Sequence, residues 1–109
     1  MNQTLPATLT RYFAAQNAHD IDAMVACFAP DAVVHDDGAE IVGTDAIRAW
    51  KEETSRKYTA TVEPLESREE GDRTVVVARV AGTFPGSPVN LTWDFGIIED
   101  GLIGTMEIG

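Results

Sequence analysis

The sequence predicts an α+β domain with its helices packed on one face of an antiparallel sheet. Apolar residues recur at helical spacing through the first half of the chain, whereas from Tyr58 onward they fall into long β-rich runs. Those runs are separated by short turn signals, and short connections imply antiparallel hairpins. A chain of 109 residues, 44% of them hydrophobic, supplies one core, so residues 1–109 read as a single domain.

Leu5, Leu9, Tyr12, Phe13 and Gln16 give the first helix one face, and Pro6 is tolerated in its first turn. Asn17 to Asp20 break that pattern, and Asp20 is a good N-cap for a second short helix. Ile21, Met24, Val25 and Phe28 form its stripe, and Pro30 is expected to close it. A strand over Asp31 to His35 and a short one at Glu40-Ile41-Val42 precede Gly43-Thr44, where Thr44 is the expected N-cap of a third helix. In that helix Ile47 and Trp50 face inward, while Arg48, Lys51, Glu52, Glu53 and Arg56 read as solvated. Strands then follow at Tyr58 to Arg68, Arg73 to Phe84, Val89 to Ile98 and Leu102 to Ile108. Glu70-Gly71-Asp72, Pro85-Gly86-Ser87-Pro88 and Glu99-Asp100-Gly101 separate them.

Composition excludes several classes. A formal net charge of −10 disfavours nucleic acid and anionic membrane surfaces as partners. No apolar run is long enough to span a bilayer, and the N-terminus lacks the basic-then-apolar layout of a signal peptide. Cys27 is the one cysteine, so no intramolecular disulfide forms and a reducing cytoplasm is the expected compartment. Cys27, His19 and His35 have no metal-ligand spacing, and no metal or cofactor is expected.

Chemistry concentrates in Asp31-Ala32-Val33-Val34-His35-Asp36-Asp37-Gly38, an apolar strand that ends in three ionisable residues. A carboxylate carried to the rim of an apolar cavity is desolvated, and its raised pKa suits it to act as a base near neutral pH. The alternative is a polar turn leaving the strand. Trp50, Phe84, Trp93, Met106 and Ile108 are candidate pocket lining, or simply core. Cys27 reads as a small buried hydrophobe.

Arg11-Tyr12-Phe13-Ala14-Ala15-Gln16-Asn17-Ala18-His19-Asp20, Phe28-Ala29-Pro30-Asp31-Ala32-Val33 and Gly43-Thr44-Asp45-Ala46-Ile47-Arg48 resemble the SnoaL-like and ketosteroid-isomerase-like families of the nuclear transport factor 2 superfamily. Phe84 to Val89 and Glu99 to Ile103 resemble the last hairpins of those families. The resemblance covers nearly the whole chain. It implies a conical fold, in which a strongly curved antiparallel sheet wraps the N-terminal helices and leaves an apolar pocket open at one end. It also implies a homodimer. The superfamily hosts isomerases, cyclases, dehydratases, epoxide hydrolases and non-catalytic binding domains, so fold alone does not assign activity.

By the same resemblance, Asp36 falls where ketosteroid isomerases keep their general base and Tyr12 where they place an oxyanion-stabilising phenol. The Pro that follows the base in those enzymes is replaced here by Asp37, a second carboxylate that would repel the first. Tyr12 reads equally as a core aromatic. Asp94 is the candidate for the third, protonated acid, but Leu91, Trp93, Phe95 and Ile97 alternate as one apolar face and point Asp94 outward. Lys51 replaces an aromatic pocket residue of the isomerases, which argues against steroid isomerisation itself. His35 is a possible second acid or base at the rim, although alternation puts it on the face opposite Asp36.

Two functions follow as expectations. One is an isomerase or cyclase that uses Asp36 as general base on a small apolar, carbonyl-bearing molecule. The other is a non-catalytic binding or dimerisation module of the same fold. Epoxide hydrolysis ranks below both, because Arg79 lacks a matching Arg-x-Asp pattern.

Overall fold

A computed structural model describes residues 5–36 and 38–109, with Tyr58 described by its backbone only. Met1 to Thr4, on which the signal-peptide reading rests, and Asp37, the expected second carboxylate, lie outside the described residues. The elements run α1 (Ala7–Ala18), α2 (Ile21–Val25), β1 (Phe28–Asp36), β2 (Ala39–Val42), α3 (Thr44–Tyr58), β3 (Thr61–Glu70), β4 (Arg73–Ala81), β5 (Val89–Ile97) and β6 (Ile103–Ile108). The six strands form one sheet in the order β2-β1-β6-β5-β4-β3. This is the α+β architecture expected, with one departure: β1 and β6 pair in parallel, while all other neighbours are antiparallel. Register shifts in β1, β3 and along the β5–β6 pair interrupt the ladder, and such irregularities bend a sheet.

Asp20 caps α2 as its side chain predicts, accepting from the backbone N–H of Ala23 at 3.1 Å. At α3 the cap is Gly43 and not Thr44, because the backbone there sits at φ 87°, where glycine carries no Cβ penalty. Pro30 closes no helix. It lies inside β1, in the stretch where the pairing with β6 loses register and a missing N–H costs little. The third helix runs on to Tyr58 and ends in a left-handed Thr59, so the first long strand begins at Thr61. Phe84 likewise follows the end of β4 and belongs to the connection to β5.

The helices cover one face of the sheet, α1 against β3 and α3 against β1 and β2. Leu9, Tyr12 and Phe13 of α1 enter the core beside Met24, Ile47, Val76 and Phe95. Tyr12 meets Phe28 and Phe95 edge to face, and Phe13 meets Trp93 and Phe95 the same way, with ring centroids 5.6–6.1 Å apart. Asn17 fixes the end of α1 to the sheet edge. Its amide donates to the Val62 carbonyl at 2.9 Å and accepts from the Val62 N–H at 2.6 Å.

Candidate functional site

Strand register places the inner face of the sheet in rows. Asp36 on β1 stands beside Ile108 on β6, Ile108 beside Trp93 on β5, and Trp93 beside Val76 on β4. Val34, Met106, Phe95 and Thr74 make the next row in the same strand order. That second row is sealed, with Val34, Met106 and Phe95 fully buried. The first row opens instead. Asp36, Ile108 and Trp93 line a cavity of about 560 Å³, closed by Trp50, Lys51 and Thr54 of α3 and by Phe84, Val89 and Leu91.

Lys51 is the residue that the sequence reading misplaces. It is only 4% exposed, where a solvated lysine was expected. Ile47, four residues earlier, is fully buried, so the helical period itself carries Lys51 onto the buried face. Its Nζ donates to Gln16 Oε1 at 2.7 Å and lies 4.6 Å and 4.8 Å from the ring centroids of Trp50 and Tyr12. Burial pulls the Lys51 ammonium down from its usual range to about 7, against the opposing pull of the Asp36 carboxylate. Gln16 also lines the cavity, and it shares the Tyr12 face of α1 at i+4 spacing.

Tyr12 sits behind this lysine. Its side chain is buried and its hydroxyl has no hydrogen-bond partner among the described residues, as is true of Trp93 Nε1. Burial pushes the phenol pKa far up, and the nearby Cys27 and Asp36 push in the same direction. The Cys27 thiol is itself pushed up by burial and donates to the Ala23 carbonyl at 3.4 Å.

The sequence model of the SnoaL-like domain family matches residues 9–103. The chain belongs to the SnoaL-like family. Among solved structures, this SnoaL-like chain is similar to a candidate polyketide cyclase from Sinorhizobium meliloti, at 46% identity and a TM-score of 0.91, over 96% of this chain and 95% of that one. It shares its fold with a ketosteroid-isomerase-like protein from Catenulispora acidiphila solved with trimethylamine (22% identity, TM-score 0.85, 97% and 86% covered). A Mycobacterium tuberculosis protein, RV0760c, solved with estradiol-17β-hemisuccinate, has the same fold (21% identity, TM-score 0.80, 96% and 93% covered). A search of curated proteins returned no match.

Within the SnoaL-like frame the expected site residues divide. Asp36, Trp50, Phe84, Trp93 and Ile108 meet at the cavity, while Met106 lies in the sealed row and does not line it. Asp94 faces the other side of the sheet, where its carboxylate accepts from Arg73 Nε at 2.7 Å. Strand alternation decides this: Trp93 takes the inner position, so Asp94 supplies no third acid to the cavity. His35 also faces outward, 3.7 Å from Glu40, beside a smaller cavity of about 250 Å³ that Arg73, Thr105 and Glu107 help to line. Tyr12 is not among the cavity-lining residues, because Lys51 covers its ring. Among the described residues no group of three or more His, Cys, Asp or Glu could hold a metal ion, and no helix is long and apolar enough to cross a membrane. Among the described residues the cavity gathers one carboxylate and one desolvated amine between largely apolar walls. That pairing suits proton transfer next to a carbonyl.

Proposed function

We propose that the cavity binds a small apolar molecule bearing a carbonyl group and that Asp36 acts on it as general base, in an isomerase- or cyclase-type reaction. Asp36 removes a proton from the carbon next to the carbonyl. Lys51, in its ammonium form, neutralises the charge that develops on the oxygen. Asp36 then returns the proton at another carbon, or the enolate closes a ring. The observation that carries this reading is that Asp36 and Lys51 line one cavity whose other walls are largely aromatic and aliphatic. Its volume of about 560 Å³ falls within the range typical of small-molecule sites. A protein of the same fold solved with estradiol-17β-hemisuccinate lends support to the apolar ligand class. Tyr12 serves here by supporting Lys51 from beneath, and the expected roles of His35 and Asp94 are not carried into the reading. The protein would act as a cytoplasmic homodimer, a reading that rests on the lone cysteine and the family resemblance, and light scattering on the purified chain tests its dimer part.

Incubation with 2-tetralone in D₂O tests the chemistry. Protein-dependent deuterium incorporation next to the carbonyl, lost in Asp36→Asn, is the expected result. Quenching of tryptophan fluorescence by the ketone with no incorporation above buffer would leave the non-catalytic binding module instead.

A further inference from the structure

Lys51 has the surroundings of an amine nucleophile, a role distinct from charge stabilisation. Its side chain is buried and lines the cavity, its Nζ is held by Gln16 Oε1 at 2.7 Å, and the faces of Trp50 and Tyr12 flank it. Fixing one N–H on an amide oxygen orients the nitrogen without supplying a counter-charge, so the neutral amine keeps its lone pair for a bound electrophile. Asp36 borders the same cavity and can exchange protons there.

From this juxtaposition of a buried, oriented Lys51 amine with Asp36 in one apolar cavity, we propose that Lys51 forms a covalent imine with aldehyde or ketone ligands. The proposal deepens the reading above and rests on it, since both require a carbonyl compound in the cavity. Lys51 Nζ attacks the carbonyl carbon, a C–N bond forms, and the C=O π pair moves to the oxygen. That oxygen takes up a proton while the nitrogen gives one up, with Asp36 as carrier. The hydroxyl of the carbinolamine then takes one more proton from solvent by way of Asp36, and the C–O bond breaks as the oxygen leaves as water. The nitrogen lone pair closes the C=N bond, and the iminium N–H proton returns to solvent by the same route to leave the imine. No oxidation state changes, and water is the sole by-product. Desolvation brings the pKa down to about 7, so at neutral pH the amine stands alongside the ammonium in comparable amounts and a nucleophilic form is present. An imine formed there acidifies the adjacent C–H that Asp36 would remove, which ties the covalent step to proton transfer.

The chain offers its own control, because it holds only two lysines and Lys57 on the same helix is exposed. The protein is incubated at pH 7.5 with 2-naphthaldehyde and sodium cyanoborohydride, and peptides are mapped by mass spectrometry. Lys51 is expected to gain the mass of the aldehyde less one oxygen, at roughly tenfold or more the occupancy of Lys57. Lys51→Arg keeps a cation but forms no imine, and it should lose the adduct. Should that variant not fold, 2-naphthylmethanol provides the second arm on the unaltered protein: it fills the cavity without a carbonyl and should suppress the Lys51 adduct while sparing Lys57. Equal labelling of both lysines, no label on Lys51, or labelling that the alcohol leaves unchanged overturns the proposal. Tryptophan quenching by the alcohol together with 2-tetralone exchange but no Lys51 adduct would overturn only the covalent step and leave the general-base reading standing.

Discussion

On the inner face of the sheet Lys51 is stripped of water and Tyr12 and Trp93 hold polar hydrogens with no partner among the described residues, whereas on the outer face charges meet in the open. Arg73 pairs with Asp94, Arg68 with Glu70, and His35 lies near Glu40, all with substantially exposed side chains. The same strands build both faces. Asp36 and His35 are neighbours on β1, and Trp93 and Asp94 are neighbours on β5, yet alternation sends one of each pair into the cavity and the other to solvent. An exposed ion pair is worth little and is screened by salt, while a desolvated ionisable group has its proton affinity reset by its surroundings. The proposed chemistry is therefore assigned to the inner face, where an ionisable group is desolvated, and not to the paired charges outside.

The largest effect expected is functional and separates two aspartates. Asp36→Asn should lower protein-dependent deuterium exchange into 2-tetralone by about 10²- to 10⁴-fold, the usual contribution of a positioned base. Asp94→Asn should leave exchange within roughly twofold, because its carboxylate sits behind the sheet paired to Arg73. Equal losses in the two variants would erase the distinction between the faces.

Next in size is a packing effect. Phe95→Ala removes a fully buried ring that meets both Tyr12 and Phe13, and it should cost about 3–5 kcal/mol in urea unfolding.

The third prediction concerns pH. Lys51 binds its proton less tightly when folded than when unfolded, so between about pH 7 and 9 the unfolded chain holds the extra proton. Stability should thus rise with pH across that window, by roughly 1 kcal/mol per pH unit, and the rise should vanish in Lys51→Met. At higher pH the sign reverses. Tyr12 and Cys27 have folded pKa values raised by burial, so their contribution is lost once the unfolded chain can ionise them. The smallest effect belongs to the outer face, where Arg73→Ala should leave the urea midpoint nearly unchanged, and high salt should shrink the difference further.

The features that the sequence made legible are those set by local periodicity. Leu9, Tyr12 and Phe13 mark the buried face of α1 at helical spacing, and all three are in the core. Asp20 caps α2 through its own side chain, and the alternation of Trp93, Asp94 and Phe95 favours the outward position that Asp94 takes beside Arg73. Features that depend on distant parts of the chain were not legible. Lys51 is held inside by Gln16, 35 residues earlier, and balanced by Asp36 on another strand, so its charge outweighed its helical register in the sequence reading. The parallel pairing of β1 with β6 joins strands from opposite ends of the chain, which turn signals between neighbours cannot reveal. Pro30 reads as a helix stop in the sequence, because only the lost register against β6 explains its place within a strand. For the proposed site this means that the helical pattern reads Lys51 as solvated while the resemblance puts it at a pocket position, and neither supplies the Gln16 contact that holds its amine inside.

The claim on which the rest depends is that Lys51 is a desolvated amine sharing its cavity with Asp36. With lysine labelled at ¹³Cε, the two lysines give two resonances, and Lys51→Met assigns them. A Lys51 resonance that titrates with a midpoint of about 7 is the predicted result. A midpoint in the ordinary lysine range, above about 10, would place that amine in water and contradict the account.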